Sequence, residues 1–120
     1  MNVNNDELFE QFKAEWPYMF ENVECGFYLP AAWTYIVWGL CQQIDWESRL
    51  NTSSEMEPVV VSQVKSKFGG LRFYYSGGNE AIHYYVSLAE QLSHKVCGRC
   101  GVTDKSKIPP SHSFDCIQTI

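Results

Sequence analysis

An α+β fold is predicted from three features of the 120-residue chain. Two apolar stripes at helical spacing fill its first half. A β-branched run and an aromatic run then bracket Gly69-Gly70. A third helical stripe follows and ends at Cys97-Gly-Arg-Cys100-Gly101. The expected order is two N-terminal helices, a β-hairpin, a third helix and a zinc-tied C-terminal tail. The length suits a single domain over 1–120, with no repeat, low-complexity segment or long linker to divide it. Within it, 1–57 is an acidic helical part, 58–96 is hairpin plus helix, and 97–120 is knuckle and tail.

In residues 6–20, Leu8, Phe9, Phe12, Trp16, Met19 and Phe20 recur at helical spacing. Asn5 or Asp6 is the expected N-cap, with acids in the first turn. Pro17 should end or kink this helix near Trp16, because it lacks an N–H and clashes with the preceding turn. Residues 21–30 read as a connection. Pro30 then suits the first turn of a second helix, whose stripe is Trp33, Ile36, Val37, Leu40, Cys41 and Ile44. Gly39 weakens that helix by about 1 kcal/mol relative to Ala and is expected to permit close packing. Cys41 reads as a small core hydrophobe.

Residues 51–57 are a polar loop. In the following run, Val59, Val61 and Gln63 are expected on one face and Val60, Ser62 and Val64 on the other. After the turn at Gly69-Gly70, Leu71, Phe73 and Tyr75 share a face opposite Arg72 and Tyr74. Such a hairpin is marginal alone and must pack on helices. Ser76-Gly77-Gly78 is a breaker, and Asn79 is a good N-cap for the third helix, roughly Asn79 to Val96. Its predicted buried stripe is Ile82, Tyr85, Val86, Ala89, Leu92 and Val96, leaving His83, Glu90 and Lys95 off it. Glu90 is expected to pair with Arg72 or Lys65 on the hairpin.

Hydrophobic residues make up 45% and aromatic residues 15%, enough for one core, and in excess for an interaction surface. Residues 1–57 carry ten acids and two bases, a net of −8. Residues 58–120 carry four acids and seven bases, a net of +3, giving −5 in all. That polarity fits two faces for different partners, or complementarity between the halves. No apolar run reaches membrane-spanning length, and the acidic N-terminus lacks the basic and apolar regions of a signal peptide. The five cysteines are therefore expected in a reducing compartment, where a Cys-x-x-Cys pair favours metal over a disulfide framework.

Two thiolates three positions apart can grip one ion in a tight turn, and the tail supplies His112 and Cys116. The spacing Cys97-x2-Cys100-x11-His112-x3-Cys116 fits the four tetrahedral ligands of structural zinc. His94 or Cys25 could replace His112 through space. Two reduced thiols without metal, a redox dithiol and an iron–sulfur site are the weighed alternatives; the last usually takes four cysteines. With no open coordination position, the zinc would pin the tail to the end of the third helix.

The run Gln63-Val64-Lys65-Ser66-Lys67-Phe68-Gly69-Gly70-Leu71-Arg72-Phe73-Tyr74, the helical Ala89, Glu90 and Ser93, and Cys97, Cys100 and Gly101 resemble a family of small bacteriophage and prophage proteins. Cys25-Gly26, Trp33 and Leu40-Cys41 look similar to that family's upstream positions. The resemblance covers about residues 25–101. The family's downstream ligand pair often reads Cys-x-x-His, against His112-x-x-x-Cys116 here. The resemblance implies a phage setting, in the cytoplasm of a bacterial host, and an accessory role. It carries no activity.

The expectation is a non-enzymatic protein that binds a host protein, as an inhibitor of a defence system or in another anti-defence role. An acidic helical surface could occupy a basic nucleic-acid channel on such a partner. The alternative is a nucleic-acid-binding zinc module using Lys65, Lys67, Arg72, Tyr74 and Arg99, with tyrosines stacking on bases; the net negative charge opposes it. No nucleophile–base pair, phosphate loop or open three-ligand metal motif suggests an enzyme. Neither a membrane nor an oligomeric state is indicated.

Overall fold

The computed structural model describes residues 5–51 and 56–97. It has the expected α+β architecture: helix α1 (Asn5–Glu15), helix α2 (Pro17–Phe20), a 3-10 turn (Ala31–Trp33), helix α3 (Thr34–Leu50), strands β1 (Val60–Lys67) and β2 (Gly70–Ser76), and helix α4 (Glu80–Ser93). Pro17 divides α1 from α2 as its missing N–H requires, and Pro30 opens the turn into α3. Asn79 caps α4 by accepting from the Ile82 amide at 2.9 Å. Asn5 does something else: its Oδ1 accepts from the Leu29 amide at 2.8 Å, pinning the connection to the start of α1.

Two packing regimes build the core. On the N-terminal side, rings interlock: Phe12 and Trp16 lie 4.9 and 4.6 Å from Trp38, and Phe9, Phe12 and Phe20 surround Phe27. On the C-terminal side, α4 lies on the inner face of the hairpin, and side chains reach backbone groups. The Leu71 amide donates to Ser93 Oγ at 2.8 Å, and Ser93 Oγ donates to the Glu90 carbonyl. The Trp33 indole donates to the Val96 carbonyl at 2.7 Å, buried, which ties the start of α3 to the end of α4. The two helices therefore run antiparallel, with Asn79 beside Glu47 at the other end.

Several expected faces change. The register jumps between Val61 and Gln63, so Ser62 is an extra residue, a β-bulge. Val59, Val61 and Val64 are the buried valines of this run; Val64 points inward and Gln63 outward, the reverse of simple alternation. The connection also holds backbone pairing that a pattern search cannot see. Cys25 N donates to the Ser62 carbonyl, Val64 N to the Gly26 carbonyl, and Tyr28 N to the Val64 carbonyl at 2.8 Å. A short parallel bridge, Phe27 to Val64, thus covers the free edge of β1.

On α4, Ser93 rather than Leu92 is buried. Its two hydrogen bonds satisfy the hydroxyl, while Leu92 turns outward. Glu90 does not pair with Arg72 or Lys65. Its Oε2 accepts from the Phe73 amide at 3.0 Å, because α4 lies close enough to β2 for backbone contact. Gly39 provides no close approach: a Cβ there would meet nothing within 4 Å.

Candidate functional site

Among the described residues, the hairpin tip holds a non-glycine residue with positive φ. Lys67 pairs with Gly70, so the two turn residues are Phe68 and Gly69, not Gly69 and Gly70. Both have positive φ, 53° and 77°. That is the signature of a two-residue turn whose twist matches the strands, normally filled by Asn or Gly. A phenylalanine in this left-handed region costs about 1–2 kcal/mol, and strain of this kind clusters at functional sites. The Phe68 side chain is 84% exposed, so packing does not offset the cost. Gly70 lies against the His94 ring: a Cβ there would come too close to it, so the ring would have to move to admit any other residue.

Cations flank the tip. The bulge sets the parity of β1 so that Lys65 and Lys67 share the outer face with Arg72 and Tyr74. Lys65 lies directly opposite Arg72, a like-charge cross-strand pair that is unfavourable on its own. Among the described residues, none of Lys65, Lys67 and Arg72 forms an ion pair; the bridge present is Arg49 to Asp45 at 3.0 Å. Lys65 Nζ lies 5.7 Å from the Tyr74 ring and Lys67 Nζ 5.4 Å from the Phe68 ring. Lys65, Lys67, Arg72 and Tyr74 therefore come together as the sequence suggested, and Phe68 joins them. Its run of lysines and glycines marked the turn; only the register identified Phe68 as a turn residue. Arg99 lies outside the described residues.

The α4 end of the expected metal set is also placed. Cys97 is fully buried just after the Val96 carbonyl that receives the Trp33 indole. Cys100, His112 and Cys116 lie outside the described residues. Three thiols and an imidazole suit zinc chemically. Among the described residues, no group of three or more metal-binding side chains gathers. Of the substitutes considered, Cys25 is exposed beside β1 and His94 stacks over Gly70. Cys41 is fully buried, and burial pushes its thiol pKa well up, as befits a core residue. Tyr75 is hydrogen-bonded to His83 Nδ1 at the flank of α4. Burial, then the nearby Glu90 charge, raises its pKa.

A second surface lies between α3 and α4. An open groove of about 450 Å³ runs along the pair. Tyr35, Ile36, Gly39, Leu88 and Leu92 are among its lining residues, none of which carries a charge. No helix among the described residues is long and apolar enough to cross a membrane. No family model, curated protein or solved structure matches this chain.

Proposed function

We propose that this is a non-enzymatic phage-type accessory protein, with zinc on Cys97, Cys100, His112 and Cys116 holding its tail. It acts by binding a host protein through the hairpin tip, and so blocks a host activity such as defence. The single observation that carries the reading is Phe68, 84% exposed in a left-handed conformation. A strained, protruding aromatic with cations beside it fits a hot-spot anchor. The complementary partner surface is an apolar pocket rimmed by carboxylates, which would receive Phe68 and pair with Lys65, Lys67 and Arg72. The bacterial host cytoplasm is the proposed setting.

Phe68→Asn tests this directly. Asn suits the turn, so the variant should melt higher by the relieved strain, about 1 kcal/mol. It should also lose proteins that the wild type captures from bacterial host lysate. If Phe68→Asn retains the same captured proteins at equal yield, the tip is not the binding element.

The opposed Lys65 and Arg72 beside Tyr74 favour a second reading, in which single-stranded nucleic acid lies across the outer face of the hairpin. A gel shift at low salt, lost in Lys65→Glu with Arg72→Glu and retained in Phe68→Asn, would favour it over the protein partner.

A further inference from the structure

We propose that the outer face of α3 and α4 is a twofold interface between two copies of this chain. Each helix carries two apolar stripes. One points to the core; the other points to solvent. On α3 the outer stripe is Tyr35, Trp46 and Leu50, and on α4 it is Tyr84, Leu88 and Leu92. These six side chains are between 41% and 65% exposed. Aromatic side chains carry roughly 150–250 Å² each, so the six leave on the order of 600 Å² of largely apolar surface on one face. That is at the top of the range of about 300–600 Å² for the largest patch on a monomer. It approaches the roughly 800 Å² that each partner contributes to a stable interface. Gln42, Gln43, Ser87 and Gln91 border the patch and can supply the remainder.

The shape and charge of the face select a second copy as its occupant. A groove lies between the two helices, its floor open where Gly39 has no side chain and nothing within 4 Å. Side chains on both sides stand above it. A twofold axis over Gly39 and Leu88 would set the ridge of each copy in the groove of the other, so one patch serves both partners. Two antiparallel helices from each copy would then form a four-helix layer. The lining has no charge, although the chain carries −5, so this face lets two like-charged copies meet without direct repulsion. Trp38 and Asp45 hold α1 and α2 on another side of α3, which leaves the face clear of the acidic helices.

The test is sedimentation equilibrium of the purified full-length protein from about 1 to about 100 µM. The expected mass is twice the 13.8 kDa of the chain. Gly39→Glu should give the single-chain mass, with association weakened at least about a hundredfold by an unpaired carboxylate at the interface centre. Its helix should be no weaker, because glycine is the poorer helix former and an added Cβ meets nothing within 4 Å. Leu88→Glu, on an exposed position, should behave alike, and circular dichroism should show native helix in both. A wild-type monomer across the range overturns the proposal and leaves the face to another protein. A dimer that survives both substitutions overturns it as well.

Discussion

The two halves of the core are held by different physics. Around α1, α2 and α3, rings pack on rings, and Phe12 alone touches Trp16, Phe20, Phe27 and Trp38. Between the hairpin and α4, single polar atoms meet single backbone amides, Ser93 to Leu71 and Glu90 to Phe73, and Asn79 caps α4 in the same way at the Ile82 amide. Burial is non-directional and scales with area, so the first half should tolerate changes of shape that keep volume. Hydrogen bonds to buried amides are directional, and losing one leaves an unsatisfied donor. The second half should therefore be sensitive to atoms rather than to bulk.

The largest expected effect is Phe12→Ala, about 3–5 kcal/mol by chemical denaturation. Phe12→Leu should recover most of it and cost under about 2 kcal/mol; a cost equal to that of Ala would show that the ring geometry, not its volume, matters. Ser93→Ala removes one oxygen and opens almost no cavity, yet strands the buried Leu71 amide, at about 1–3 kcal/mol. A change near zero there would dissolve the contrast between the halves. Asn79→Ala should lower stability by about 1 kcal/mol through the lost cap.

The smallest effect appears only in alkali. The Tyr18 hydroxyl donates to Asp45 Oδ1 at 2.6 Å. Burial first, then that hydrogen bond and the Asp45 charge, push its pKa well above the ordinary tyrosine value. The unfolded chain ionises Tyr18 near about pH 10 while the folded chain keeps it neutral. The contribution is therefore complete below that pH and is lost as the pH rises through and above it. Melting temperature from pH 9 to 11 should fall less steeply in Tyr18→Phe than in the wild type.

What could be read in advance follows the same division. The break at Pro17 and the cap at Asn79 were legible because those residues act locally; Pro30 opens a 3-10 turn and α3 begins only at Thr34, and α4 ends at Ser93, short of the expected Val96. The aromatic stripe of α1 was legible because burial follows period. Backbone pairing was not: nothing in the side chains of Cys25 to Tyr28 announces their bridge to β1. Nor could composition locate Ser62 as an extra residue or predict that Glu90 meets an amide rather than a cation. Lys65, Lys67, Arg72 and Tyr74 were legible as a charged and aromatic cluster, whereas the prominence of Phe68 depended on which two residues make the turn. The outer stripe of α3 and α4 was present in the spacing of Tyr35, Trp46 and Leu50. A single best stripe per helix concealed it. Cys100, His112 and Cys116 fall beyond the described residues, so the metal set has its meaning from spacing.

The bulge at Ser62 makes β1 a strand of two phases. Upstream of it, odd-numbered positions face the core; downstream, even-numbered positions do. Pairing the same residues without the bulge would, with Val59 and Val61 still seated, turn Val64 outward and Lys65 and Lys67 inward beneath α4. Deleting Ser62 itself would give a regular strand that keeps Val64 inward and both lysines outward. The bulge is thus what reconciles the seated valines with an outward pair of charges.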